Sequence, residues 1–380
     1  MKNRTIFLSG LVVAVYAMGF GQAECSAGAE DVSSRVETLG NPGRYFYPGK
    51  SMAYARNIWD MQAFDGHIYF GMGNSNNKGP APNAKGGQIW SYDPDRNRFR
   101  VQFWTDEEQV DRYRILNGKL VVPGHDPTDS WKYGNWYRLE PKGWKKHRNI
   151  PGGIHCYDMI SFGGKIFAAL GTKPNSEFVV MSEDGGETWK GCGILGMRAY
   201  TLFTVADNLY VCLYRGVAAY DGNRFHENID HEWFPGCSEK KLVRLVVRPV
   251  YFKGITLYIG AYRATDHQWT PFGLYAAKDP SHIKKIDLPG NPWDLLVKNG
   301  VLYVLSAVKS DKDKAKWIIR VTATHDLKAW QPLFQFESPT FARSFEYLNG
   351  AFYFGLGCEA DDQRPETGDI LRMPWKPKSR

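Results

Sequence analysis

From about residue 50 to residue 375 the chain alternates short apolar stretches with tight turns. Seven of the stretches restart on an apolar pair whose second member is Tyr69, Val121, Phe167, Tyr210, Tyr258, Tyr303 or Tyr353. Successive anchors are 52, 46, 43, 48, 45 and 50 residues apart, a period that marks a repeat architecture. The first repeat shows the unit. Trp59 to Phe64 alternates apolar and polar, Asp65-Gly66 turns, and His67 to Gly71 alternates again. After a Gly/Asn/Pro-rich loop come Gln88 to Tyr92, the turn Asp93-Pro94-Asp95, and Phe99 to Trp104. The third repeat follows suit with Tyr157–Phe162, Ile166–Leu170 and Phe178–Met181. Four short strands joined by turn residues, with no helical period, predict one four-stranded antiparallel unit per repeat.

Seven such units predict an all-β, seven-bladed β-propeller. The last repeat has three clear strands and little room for a fourth. The segment Arg35–Leu39, or Tyr45–Tyr47, is expected to supply it, closing the ring and covering its open edge. Ser182-x-Asp184-x-Gly186-x-Thr188-Trp189 matches an Asp box, in which the aspartate accepts turn amides and the indole packs between strands. It marks a propeller turn on the outer rim and says nothing about activity.

Ahead of the repeats, Lys2 and Arg4 precede the apolar run Ile6–Phe20 and the small residues around Gly21-Gln22-Ala23. This reads as a signal peptide over residues 1–23, with residues 24–380 as a single propeller domain. The expected product is secreted or periplasmic, monomeric, and not membrane-bound once the signal is removed. Its net charge falls from +8 to +6, since Lys2 and Arg4 leave and no acid does. Of six cysteines, Cys156 and Cys212 fall inside predicted inner strands as buried thiols, while Cys25 and Cys358 could pair. The basic residues are dispersed, and the Lys309–Lys316 run is broken by Asp311 and Asp313, so nucleic acid is not an expected partner.

The anchors also serve as a ruler for one mouth of the channel. Ten positions before each come Trp59, Asp111, Tyr157, Tyr200, Arg248, Trp293 and Arg343. Four and five positions after come Gly73-Asn74, His125-Asp126, Gly171-Thr172, Tyr214-Arg215, Tyr262-Arg263, Ala307-Val308 and Gly357-Cys358. Repeats two to five thus gather His, Tyr and Arg, including His155 two residues before Tyr157. Such a cluster suits an anionic polysaccharide or oligosaccharide: arginine pairs with carboxylate or sulfate and aromatic faces pack on sugar rings. The expected ligand-binding set is Tyr214, Arg248, Tyr262, Arg263, Arg343 and Arg56. Asp111, Asp126 and Asp158 are candidate ion-pair partners within it.

The stretch Val122-Pro123-Gly124-His125-Asp126-Pro127, with Ser130-Trp131, Tyr133 to Arg138 and Ile150 to Met159, resembles the seven-bladed propeller lyases that cleave ulvan. The resemblance in detail covers about a quarter of the chain, in repeats two to four. It implies a lyase acting on a sulfated, uronate-containing polysaccharide by β-elimination, with His125, His155, Tyr200 and Arg215 as the catalytic set. Such chemistry needs the uronate charge masked, a base at the C5 proton and an acid at the leaving oxygen. Arg215 with His155 would mask the charge. Tyr200 would take or give the proton if nearby cations lower its pKa from about 10; His125 is the alternative base. No cofactor is needed for the reaction. The resemblance also implies a structural zinc built from His and Cys, for which His226, His231 and Cys237 are the nearest candidates.

Two other functions fit the same frame. A non-catalytic glycan-binding propeller would use the same basic funnel. A sialidase-like hydrolase could draw an arginine triad from Arg248, Arg263 and Arg343, but the Phe/Tyr-Arg-Ile-Pro signature is missing and one Asp box and seven repeats do not suit it.

Overall fold

The computed structural model describes residues 28–76, 83–84, 86–172, 176–193, 198–227, 231–239, 242–263 and 269–375. The expected signal peptide and Cys25 lie outside them. The strands form seven sheets arranged as blades, each with four antiparallel strands. Blade one runs Asp60–Phe64, His67–Gly71, Gln88–Asp93 and Arg98–Trp104, within a residue of its sequence reading. The innermost strands of blades two to seven are Arg114–Leu116, Gly153–Phe162, Ala199–Val205, Arg244–Phe252, Asn291–Lys298 and Ala342–Leu348.

All seven anchors sit on second strands and all are buried. Period-two alternation turns successive side chains toward opposite neighbours, and five anchors visibly reach a neighbouring blade, Phe167 among them through Tyr220 and Phe225 of blade four. Tyr69 packs edge-on against Trp144 of blade two, and Tyr258 meets Phe203 of blade four. Tyr303 meets Phe352 of blade seven, and Tyr353 meets Tyr92 of blade one. The repeat is therefore a packing requirement. Each blade is a sheet with two apolar faces that only its neighbours can bury.

Carboxylates tie the inner strands together. Asp60 accepts the amide of Met61 and, across to blade two, that of Tyr113. Asp158 accepts Met159 and, from blade four, Leu202; Asp294 accepts Leu295 and, from blade seven, Phe345. Glu346 closes the circle by accepting Ala63 of blade one. Asp158 is wholly buried and takes a bidentate contact from Arg114 at 2.8 and 2.7 Å, with Arg112 at 2.8 Å. Burial pushes its pKa up, but the two guanidinium groups and the hydrogen bonds outweigh this and hold it below the usual 3.8.

The fourth strand of blade seven is Glu37–Gly40, paired antiparallel with Ile370–Pro374. This settles between the two expected segments, since Tyr45 ends a short 3-10 turn over Pro42–Tyr45 instead. A strand absent from the sequence reading, Glu30–Asp31, adds in parallel to the outer edge of blade six. The Asp box forms as expected: Asp184 accepts the amides of Glu187 and Thr188 and the Ser182 hydroxyl. Gly186 is confined by Trp136, which would lie 2.5 Å from an added Cβ, and by a φ of +98°. Blade six carries a second turn of this kind, with Asp326 accepting Lys328 and Ala329. It lacks the glycine: Leu327 takes the positive φ, at +63°.

Removing one partner of a buried pair leaves the other charge uncompensated, so Asp158→Ala should cost about 3 to 5 kcal/mol in denaturant unfolding. Because the folded pKa is depressed, this contribution is complete above the unfolded value near 3.8. It should fade as pH falls through the lower folded value. A variant as stable as the parent at neutral pH would contradict this account.

Candidate functional site

The channel mouth opens into a cleft of about 70 Å³ that is open to solvent on one side. The ruler is accurate for most of its wall. Trp59, Asp111, Tyr157, Tyr200 and Arg248, ten residues before their anchors, line it, and so do His125 and Arg263 from the second-strand ends.

His125 and His155 form the centre of one wall. His125 follows Pro123 and Gly124, where blade two's second strand ends, and its Nδ1 stands 2.9 Å from Asp111 Oδ2. Burial disfavours the imidazolium, but Asp111, Asp126 and Glu107 outweigh it, and the His125 pKa is raised above 6.5. His155 donates Nδ1–H to the His125 carbonyl at 2.9 Å, with Asp126 Oδ1 3.3 Å away. Its ring stacks on Tyr157 with centroids 5.3 Å apart. Gly171 makes room for that stack, because a Cβ there would meet His155 and Tyr157 carbons at 2.8 and 2.9 Å.

Tyr200 is 8% exposed and tilts against Tyr157 with centroids 5.0 Å apart. Among the described residues its hydroxyl has no hydrogen-bond partner. The Arg263 guanidinium lies over its ring at 5.3 Å. The role of Tyr200 as a base depends on nearby cations lowering its pKa. Burial instead outweighs Arg263 and Arg198 and raises it. Tyr200 therefore keeps its proton at neutral pH.

Five of the expected arginine and tyrosine positions lie outside the cleft lining, and a sixth, Arg248, reaches it already engaged. Arg215 is exposed in the bend that follows Leu213, whose amide bonds to Gly216 O, and it is not among the cleft-lining residues. Tyr214, in the same bend, is 37% exposed, with Arg263 5.7 Å over its ring. Arg56 donates to the carbonyls of Tyr47, Gly49, Pro365 and Thr367, which fixes the segment before blade one. Arg343 is fully buried among aromatic rings. Arg248 reaches the cleft but is bound to Asp60, the Trp59 carbonyl and Asp294, so it braces the channel. Tyr262 tilts against Phe272 and shares a hydrogen bond with Cys237, and burial with that thiol pushes its pKa to about 12.

The zinc candidates do not fit a metal site. His226 is exposed and paired with Asp221 at 2.7 Å, while Cys237 is occupied by Tyr262. Among the described residues no three His, Cys, Asp or Glu side chains gather to hold a metal ion. Cys156, Cys212 and Cys358 are buried free thiols.

The sequence reading missed Arg198, Gln109, Trp269 and Glu107. Arg198 donates to the Tyr157 hydroxyl at 2.5 Å, and Gln109 and Trp269 line the cleft. Arg198 and Gln109 stand two residues before Tyr200 and Asp111, the same offset as His155 from Tyr157, so the ruler could have found both. Glu107 lies in the crossover between blades and carries no such mark. Fully buried, it accepts Asn135 Nδ2 at 2.7 Å, the Tyr137 hydroxyl at 2.9 Å and the Asp126 amide at 3.0 Å. Burial raises its pKa to about 7 against the lowering effect of these bonds. Through Asp126 it holds the loop that carries His125.

No family model matches the sequence, and neither does any curated protein. Among solved structures, the mitotic checkpoint complex includes a chain that aligns over 97% of this one and 100% of itself, with TM-score 0.53 and 9% identity. Sqt1 of Saccharomyces cerevisiae aligns over 85% of this chain and 97% of its own, with TM-score 0.48 and 9% identity. The α-L-arabinanase of Penicillium chrysogenum, complexed with arabinobiose, aligns over 90% and 98%, with TM-score 0.46 and 11% identity. At these identities the likeness is one of fold, and function has to be argued from the site.

Glu107→Gln removes negative charge near His125 and turns an amide toward the Asp126 N–H. The His125 pKa should move down in an NMR titration. An unchanged titration would exclude Glu107 from the electrostatics of the site.

Proposed function

We propose that the chain is an exported polysaccharide lyase that cleaves an anionic, uronate-containing chain, sulfated in its natural form, by β-elimination. The observation that carries this reading is the buried Tyr200 hydroxyl, without a partner among the described residues, in the same cleft as the His125–Asp111 pair. A proton donor and a proton acceptor, separated by aromatic rings and overlooked by Arg263, are the groups an elimination needs.

In the proposed reaction Arg263 pairs with the uronate carboxylate and makes the C5 proton more acidic. The His125 nitrogen not facing Asp111 removes that proton. The C5–H electron pair becomes the C4–C5 double bond as the C4–O bond breaks, and Tyr200 gives its proton to the departing oxygen. Asp111 stabilises the imidazolium so formed. His155 and Arg198 hold Tyr157 between the two reacting groups. Of the two candidate bases it takes His125, and Arg263 stands in place of Arg215 at the carboxylate. A second reading, a non-catalytic glycan-binding propeller, draws support from the tightness of the cleft and from the exposed position of Arg215.

Incubation with uronate polymers should produce the ultraviolet absorbance of an unsaturated uronate. His125→Ala, Tyr200→Phe and Arg263→Ala should each lower the rate by ~100-fold or more while the circular-dichroism spectrum stays that of the folded parent, whereas Arg215→Ala should stay near the parent rate. Binding without any unsaturated product, across sulfated and unsulfated polymers, would give the second reading precedence. Rate should rise with pH through a His125 pKa above 6.5. Asp111→Asn should displace that limb to lower pH, since the imidazolium loses its partner. An unmoved limb would remove His125 from the role of base.

A further inference from the structure

The cleft has a second wall that the elimination does not use. Trp59 and Trp269 line it, and both rest on the guanidinium of Arg343. The Arg343 carbon lies 4.6 Å from the Trp59 ring centroid, 5.8 Å from Trp269, 5.0 Å from Trp293 and 5.2 Å from Phe341. Trp269 and Trp293 themselves lie 5.6 Å apart.

Arg343 is 0% exposed and, among the described residues, no carboxylate pairs with it. Two donors go to Asn57 Oδ1 at 3.0 Å and Cys358 O at 3.2 Å, while Nη1 has no acceptor. A buried charge without a counter-ion is unfavourable. Four aromatic faces compensate it at contact distance, with the Glu359 carboxylate acting from further away, and a desolvated guanidinium gains most from such ring contacts. Its place in the fold is explained by what it holds: two indoles from blades one and five at a fixed angle beside the charged wall. Trp59 is 5% exposed and further pinned by Nε1–H donated to Gly73 O at 2.9 Å, so it forms the floor. Trp269 is partly exposed and offers the open ring.

We infer that Trp269, with Trp59 as its floor, is a stacking subsite for the carbon–hydrogen face of a pyranose adjoining the uronate, and that Arg343 is the positioning residue that fixes it. This rests on the anionic site proposed above, but its recognition is of a different kind. Aromatic rings take the apolar face of a sugar whatever its charge, so the wall adds affinity for chain length and none for the lone uronate.

The probes are glucuronate and a hyaluronan tetrasaccharide, with xylotetraose as an uncharged chain, titrated by calorimetry and tryptophan fluorescence. Trp269→Ala should weaken the tetrasaccharide by about tenfold and leave glucuronate unchanged. Arg343→Met should weaken the tetrasaccharide in the same way, and Arg343→Lys should fail to restore it because only a planar cation stacks on several rings at once. Trp269→Phe, which keeps a ring, guards against loss of folding and should retain most of the affinity. Equal weakening of glucuronate and tetrasaccharide by Trp269→Ala would overturn the inference, as would no change in either. If glucuronate does not bind the parent protein and no polymer is cleaved, the anionic site falls. The wall is then judged alone, by whether xylotetraose perturbs a fluorescence that Trp269→Ala abolishes.

Discussion

The structure depends on carboxylates that each accept two main-chain amides, one from their own strand and one from the next blade. Asp60, Asp158 and Asp294 do this at equivalent places, and Glu346 makes the crossing from blade seven back to blade one. Inner strands lie too far apart around a channel to form a ladder with one another. Their inward amides would otherwise face a narrow, water-poor tube, where an unpaired group is costly. A short acidic side chain bridges the gap and fixes the angle between blades.

That solution creates a second demand, because several negative charges now crowd one axis. Burial, with Asp60 nearby, leaves the Asp294 carboxyl at about 7 even with Arg248 beside it. Arg248 answers by reaching from blade five to Asp60 and Asp294, at a bulge where it takes a φ of +52°. Arg112 and Arg114 answer Asp158. Arginine in this channel is thus first a structural cation. The proposed chemistry falls on the part of the ring where the histidines, Tyr200 and Arg263 stand.

The sequence made the frame legible because period-two alternation and turn residues are local signals, and every blade repeats them. It also ordered the mouth, since residues at one offset from a buried anchor fall on one rim whatever their type. It could not tell what each side chain would find there. Arg56, Arg248 and Arg343 look alike as basic residues near a mouth, yet carbonyls, carboxylates and indoles claim them in turn. Arg215 sits at the correct offset, but Gly216 bends the chain outward just beyond the strand, and an offset presumes a strand that continues. The protonation of Tyr200 is not legible because burial, which raises its pKa against Arg263 and Arg198, has no sequence signal. Glu107 lies outside any repeat position, so only the folded loop reveals that it supports Asp126.

The strand Glu37–Gly40 finds its partner far down the chain, with Glu37 opposite Arg372. At ribosomal rates of about 5 to 20 residues per second, that partner emerges roughly 15 to 70 s later. During this interval six blades can pair locally while the ring stays open, with one apolar face of blade one and one of the growing end still wet. The amino-terminal strand must remain unpaired through all of it, which its charged, half-exposed sequence, Glu37-Thr38-Leu39-Gly40, makes tolerable. Synthesis order and closure order therefore run opposite ways: an early strand made by the ribosome completes the last blade.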